Sequence, residues 1–199
     1  MIRNIIFDMG NVLLDYNPDI SLRKYCHSAE SMILIKNELF LGEEWRQGDL
    51  GIITNDQRYD GVSKRIPQKY LDELRDVVDH WDICMVPLPG AKEYVYKKKE
   101  EGFRLYVLSN ACAKFYHYFP AQFDMELFDG IVVSSDLHIV KPDERIYRYL
   151  LDTYHLKPEE CVFIDDVALN VQAAGQMGIH GIVFDNSFDE VEEQLKNIG

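Results

Sequence analysis

Five short apolar runs, each closing on a polar residue, constrain this chain more than any other feature. They are "NIIFD" ending at Asp8, "RLYVLS" at Ser109, "GIVVSS" at Ser135, "CVFIDD" at Asp166 and "GIVFD" at Asp185. Their apolar residues are contiguous rather than alternating, the pattern of strands covered on both faces, as in a parallel sheet. Helical periods separate them. "PGAKEYVYKKKEEG" has Pro89 and Gly90 at its start and Gly102 at its end, "KPDERIYRYLLDTYH" puts Ile146, Tyr149, Leu150 and Tyr154 on one face, and "VALNVQAAGQMG" gathers small residues before Gly178. Such alternation predicts an α/β fold, a Rossmann-like doubly wound parallel sheet.

The stretch from Asn17 to Asp82 breaks the rhythm. It holds helical patterns such as "SAESMILIKNELF" and "IPQKYLDELRDVVDHW", with the Gly-rich, charged "LGEEWRQGDLGI" between them reading as a loop or short helical turn. A helical block inserted after the first strand predicts an α-helical cap at residues 17–85, on an α/β core formed by residues 1–16 and 86–199. A chain of 199 residues accommodates one core with such an insertion.

Charge narrows the function classes. With 21 Lys and Arg against 34 Asp and Glu, the formal net charge is -13, so the chain repels polyphosphate backbones and no nucleic-acid partner is expected. The densest basic run, Lys97 to Lys99, precedes Glu100 and Glu101 and reads as a solvated helix face. Cys26, Cys84, Cys112 and Cys161 have no metal-binding spacing and read as reduced, buried thiols. The opening "MIRNIIFDMG" lacks the pattern of a signal peptide, and no apolar run is long enough for a bilayer. The expectation is a cytoplasmic protein acting on small molecules, with no membrane association and no protein partner implied.

In open α/β sheets the binding crevice lies outside the carboxyl ends of the strands. Those ends carry Asp8, Ser109 with Asn110, and Asp165 with Asp166; Lys141 follows the third strand in "IVKPDERIY". Singly, these residues fit turns and caps, and Lys141 a solvated helix entry. Asp165 and Asp166 together, after four apolar residues, would repel each other near a buried edge without a cation or a donor.

The motifs "FDMGNVL", "VLSNA", "VKPDERIY" and "FIDDVALNVQAA", in this order, resemble those of the haloacid dehalogenase superfamily, in its branch with a helical cap after the first motif. Within it, the "FDxGNV" form is most similar to bacterial sugar-1-phosphate phosphatases of the α-D-glucose-1-phosphate type. The resemblance implies a hydrolase in which Asp8 attacks phosphorus and forms an aspartyl phosphate. Mg²⁺ would be held by Asp8, the Gly10 carbonyl and Asp166, while Lys141, the Ser109 hydroxyl and backbone N–H groups near Asn110 would bind phosphate oxygens. Asp165 would be a water-mediated ligand or lie behind the ligands.

Gly10 departs from the family pattern, which has an acid there, and Asn11 stands where the family has Gly. Asn tolerates φ > 0, so the loop can keep its shape. Glycine supplies no proton, a loss of about 10²- to 10⁴-fold that slows turnover without abolishing it. The expectation is a live phosphatase of small phosphorylated metabolites, sugar phosphates first. The missing acid would come from substrate, water or the cap, where Glu43, Glu44, Trp45 and Arg46 are the candidates to face the site. The alternatives are a dehalogenase-type hydrolase, which gains nothing from the Asp165 and Asp166 pair, and a non-catalytic binder of phosphorylated metabolites.

Overall fold

The computed structural model describes residues 1–198. Five parallel strands, β1 (Asn4–Phe7), β4 (Arg104–Ser109), β5 (Gly130–Val133), β6 (Cys161–Asp165) and β7 (His180–Val183), form one sheet in the order β5-β4-β1-β6-β7. The chain therefore winds outward from β1 in both directions, and the switch point lies at the carboxyl end of β1. Side chains alternate between two buried faces. Ile5, Phe7, Leu105, Val107, Val162 and Ile164 enter one core layer, while Ile6, Tyr106, Leu108 and Phe163 enter the other. This two-sided burial is what the unbroken apolar runs anticipate.

Between β1 and β4 the chain forms α1 (Asp19–Tyr25), α2 (Ala29–Ile35), α3 (Glu43–Asp49), α4 (Asn55–Ser63) and α5 (Leu71–His80). Capping boxes at Ser28 and Thr54 open α2 and α4, each side chain accepting a backbone N–H three residues on. A π-helical turn at Lys36–Phe40 extends α2. The two links between this block and the core pair as short antiparallel strands, β2 (Leu14–Asp15) and β3 (Val86–Pro87). Leu74, Val77 and Val78 of α5 are fully buried at helical spacing, each such burial being worth about 1.5–3 kcal/mol. They join Ile5 and Phe7 in one continuous apolar cluster.

The remaining helices are α6 (Ala91–Glu100), α7 (Phe115–Tyr118), α8 (Ser134–Leu137), α9 (Glu144–Thr153), α10 (Ala168–Gln176) and α11 (Phe188–Ile198). Among the described residues no helix is long and apolar enough to cross a membrane. All four cysteines are free and buried.

Three local expectations are corrected. "LGEEWRQGDLGI" is a true helix, α3, whose N-terminal Glu43 and Glu44 complement the dipole and which ends as Gly51 turns left-handed at φ 67°. On α9 the buried set is Ile146, Tyr147, Leu150 and Leu151, whereas Tyr149 is exposed. Tyr147 turns inward because its hydroxyl donates to the Asn170 carbonyl at 2.9 Å. Finally, Lys98 is buried rather than solvated: it pairs with Glu101 and Glu192 and lies over the Tyr94 and Phe103 rings.

Candidate functional site

Asp8 leaves the carboxyl end of β1, and its Oδ1 accepts from the Met9 N–H at 2.7 Å. The Lys141 ammonium stands 2.7 Å from that same oxygen and 2.7 Å from Asp165 Oδ2, bridging β1 and β6. Lys141 itself is placed by Asn110. The Asn110 amide accepts the Lys141 backbone N–H at 2.8 Å and donates to its carbonyl at 3.0 Å, clamping this loop to the end of β4. Sequence order scatters these residues over more than 150 positions; the parallel sheet brings them to one edge.

Asp165 is fully engaged. Its Oδ1 accepts from the Val167 N–H at 2.7 Å, its Oδ2 accepts from Lys141, and the Asn170 amide donates to both oxygens at 3.1 and 3.0 Å. Asp166 turns the other way, to the Asn11 amide, which donates to its Oδ2 at 3.0 Å. Asn11 adopts φ 55°, the left-handed geometry that Asn tolerates, and its amide oxygen accepts the Tyr16 N–H at 3.1 Å. Asn11 and Asn170 thus aim the two acids in different directions. Neither role is visible without the fold.

Burial raises the Asp8 carboxyl above the usual carboxylate range, Lys141 opposing and Asp165 adding to the shift. Burial likewise raises Asp166, with the Asn11 hydrogen bond opposing it. Although burial disfavours the Lys141 charge, Asp8 and Asp165 outweigh it and hold the ammonium above its ordinary value. Lys141 therefore stays charged, in contact with two of the three acids.

Carboxylate oxygens of Asp8, Asp165 and Asp166 lie within 4.8 Å of one another. An all-oxygen donor set of this charge suits a hard divalent cation. Because Asp165 is saturated by its donors, the oxygens left without a hydrogen bond belong to Asp8 and Asp166. The Gly10 carbonyl accepts no backbone hydrogen bond among the described residues. Ser109 Oγ is buried at the end of β4 with no hydrogen-bond partner, so the hydroxyl is unspent.

Asp8 and Asp166 open into a cavity of about 190 Å³ lined by residues of both the sheet edge and the helical block, with Asp165 buried behind them. Of the four residues expected to face it from Glu43 to Arg46, only Trp45 does. Glu44 makes a two-pronged ion pair with Arg65, and Glu43 pairs with Arg46 on the exposed side of α3. Trp45 packs against Phe40 and Trp81 at centroid distances of 4.7 and 4.9 Å, with the Arg58 guanidinium 4.6 Å over its ring. Four residues on, one helical turn later, Asp49 shares the cavity-facing side of α3. Tyr16, Trp81 and Tyr118, with the Met85 thioether, complete a largely aromatic wall that sequence reading missed.

A family model described as haloacid dehalogenase-like hydrolase matches residues 2–178. A drimenol cyclase of Aspergillus calidoustus is 28% identical over 205 residues, covering 100% of this chain and 37% of that protein. This chain thus spans little more than a third of that relative's length. A sesquiterpene phosphatase of Aspergillus oryzae is 28% identical over 179 residues, 88% of this chain and 87% of that one. Among solved structures, a HAD-family enzyme of Bacteroides thetaiotaomicron in complex with magnesium and inorganic phosphate superposes with a TM-score of 0.77 at 20% identity, covering 96% of this chain and 99% of that one. The likeness reaches the family without singling out the glucose-1-phosphate type. Motif order, sheet topology and the match across residues 2–178 agree, and the chain belongs to the haloacid dehalogenase-like hydrolases.

Proposed function

We propose that the chain is a Mg²⁺-dependent phosphatase of small phosphorylated metabolites in the cytoplasm, acting through an aspartyl phosphate on Asp8. The observation that carries this reading is the buried bridge of Asp8, Lys141 and Asp165 beside an unsaturated Asp166, with Asp8 and Asp166 lining one cavity. Phosphoryl transfer needs an in-line nucleophile and positive charge spread around the transferring oxygens. Asp8 Oδ1 is occupied by Lys141 and the Met9 N–H, which leaves Oδ2 as the attacking or ligating oxygen.

Bound to Asp8, Asp166 and the Gly10 carbonyl, Mg²⁺ supplies the charge that lets a carboxylate approach a phosphate dianion. Lys141 holds a second phosphate oxygen, and the unspent Ser109 hydroxyl donates to a third. The Asn110 side chain is spent on Lys141, so its part in phosphate binding falls to the backbone. A dehalogenase attacks carbon without a cation and gains nothing from the Asp165 and Asp166 pair beside Asp8, which favours phosphorus chemistry. Residues 17–85 act as the cap that closes the cavity against water.

Sugar phosphates are the first substrate class, with Trp45 and Trp81 offering faces for a sugar ring. The largely carbon wall of Tyr16, Trp45, Trp81, Met85 and Tyr118 also suits an apolar alcohol, and one relative is named a sesquiterpene phosphatase. Phosphate release is therefore to be measured on sugar phosphates, short isoprenoid monophosphates, nucleotides and p-nitrophenyl phosphate, with Mg²⁺ and with EDTA. Release that requires the cation and vanishes in Asp8→Asn is the expected result. Release from none of these compounds, or undiminished release by Asp8→Asn, contradicts it.

A further inference from the structure

We propose that Asp49, carried into the cavity by α3, is the general acid and base of the reaction, supplying the carboxyl that Gly10 lacks. The inference rests on the phosphatase reading and adds a catalytic residue to it. Asp49 lines the same cavity as Asp8 and Gly10, and no donor hydrogen-bonds its carboxylate among the described residues. Its backbone, by contrast, is anchored. The Ser134 hydroxyl donates to the Asp49 carbonyl at 2.6 Å and accepts the Ala111 N–H at 3.0 Å, tying α3 to the loop after β4. The next carbonyl, of Leu50, is held by His138 Nδ1 at 2.7 Å, and Gly51 packs so close to the Ser135 carbonyl that a Cβ would lie 2.2 Å from it.

The other polar groups of the cavity are unsuited to the task. Asn11 and Asp166 are bound to each other, Asn110 is spent on Lys141, and burial pushes the Tyr16 and Tyr118 phenols far above the physiological range. The Trp81 indole N–H does not exchange protons in catalysis. Burial raises the Asp49 carboxyl to about 7, Arg58 opposing and the Asp8 charge adding to the shift. A group near the working pH both gives and takes a proton well. The charged and titratable groups around it are Arg58 from α4, Asp8 from β1, and Tyr16, Cys112 and Tyr118.

In the first step an Asp8 oxygen bonds to phosphorus as the bond from phosphorus to the leaving oxygen breaks. That oxygen takes the Asp49 proton and departs as the alcohol. In the second, the Asp49 carboxylate takes a proton from water as the water oxygen bonds to phosphorus. The bond from phosphorus to Asp8 breaks, inorganic phosphate leaves, and both side chains return to their starting states.

The test compares Asp49→Asn with the wild type on p-nitrophenyl phosphate, whose anion leaves without a proton, and on the best alkyl monophosphate of the panel. Rapid mixing with Mg²⁺ reads the first step, and Asp8→Asn is the control. The burst of p-nitrophenol should persist near its wild-type rate, while release of the alkyl alcohol falls by about 10²- to 10⁴-fold. The limb of the alkyl kcat/KM profile near neutral pH should disappear. Gly10→Asp, combined with Asp49→Asn in one double variant, should restore alkyl turnover at least in part, because a Cβ at position 10 meets nothing nearer than Tyr16 Cβ at 3.9 Å. Equal losses on both substrates, or no loss, overturn the Asp49 role while leaving the phosphatase standing. A wild type that releases phosphate from neither substrate overturns both.

Discussion

At the residue scale, the site is built from paired commitments in which one side chain fixes another. Asn170 and Val167 hold Asp165, Asp165 holds Lys141, and Asn110 holds the Lys141 backbone. Asn170→Ala removes two of the donor contacts to a buried carboxylate, which should cost about 1–3 kcal/mol in urea unfolding. It should also lower kcat/KM by roughly 10- to 100-fold by loosening Lys141. Asn11→Gly keeps the φ 55° backbone but frees Asp166, so the Mg²⁺ concentration for half-maximal binding should rise about 10-fold in calorimetry with little change in fold. Asp49 gives a pH dependence whose sign follows from its raised value. The carboxyl moves from 3.8 to about 7 on folding. Between those values the unfolded chain is ionised and the folded one is not, so this group's contribution to stability is lost as pH rises through the folded value. Asp49→Asn should therefore raise Tm in EDTA at pH 8, by about 2–8 °C for roughly 1–2 kcal/mol, and change it little at pH 4.

At the element scale, α3 is the part of the molecule that the sequence hid best. Its Gly48 and its run of charges argue locally for a loop, yet Gly48 is where Arg58 of α4 lies against the helix. A Cβ there would sit 1.7 Å from the Arg58 Nη2. Gly48→Ala should accordingly destabilise the protein by about 1–3 kcal/mol in denaturant and displace Arg58 from the Trp45 ring, visible as a change in tryptophan fluorescence. An unchanged midpoint and spectrum would show that α3 and α4 do not meet so closely. The sheet, by contrast, was legible. The strand runs of β1, β4 and β6 record two-sided burial directly, and their ends give Asp8, Ser109 and Asp165 without further information. Long-range partners leave no such record. That Asn11 meets Asp166, or that the Ser134 hydroxyl reaches the Asp49 carbonyl, depends on how the helical block returns to the sheet, and no periodicity encodes it. Reading α3 as a helix would have been enough to pair Trp45 with Asp49 at a spacing of four.

At the scale of the whole molecule, the two parts of the chain share one cavity: the sheet edge brings Asp8 and Asp166, to which the proposed reaction gives the roles of nucleophile and cation ligand, while the helical block brings Trp45, Trp81 and Asp49. One continuous apolar cluster runs from Phe7 beneath the sheet edge to Trp81 and Leu74, so the two parts are packed together and not merely linked by β2 and β3. The chain carries a net charge of -13, the sheet edge gathers Asp8, Asp165 and Asp166 with Asp49 across the cavity, and Lys141 is the ammonium bridging Asp8 and Asp165. A cation bound there would offset the remaining negative charge and open the site to a phosphate dianion. The most direct measurement is acid quenching of the enzyme during turnover of its best monophosphate with Mg²⁺, followed by peptide mass analysis. The account predicts one phosphoryl group on the peptide containing Asp8, absent with EDTA and in Asp8→Asn. Steady phosphate release with that peptide unmodified, continuing in Asp8→Asn, would contradict it.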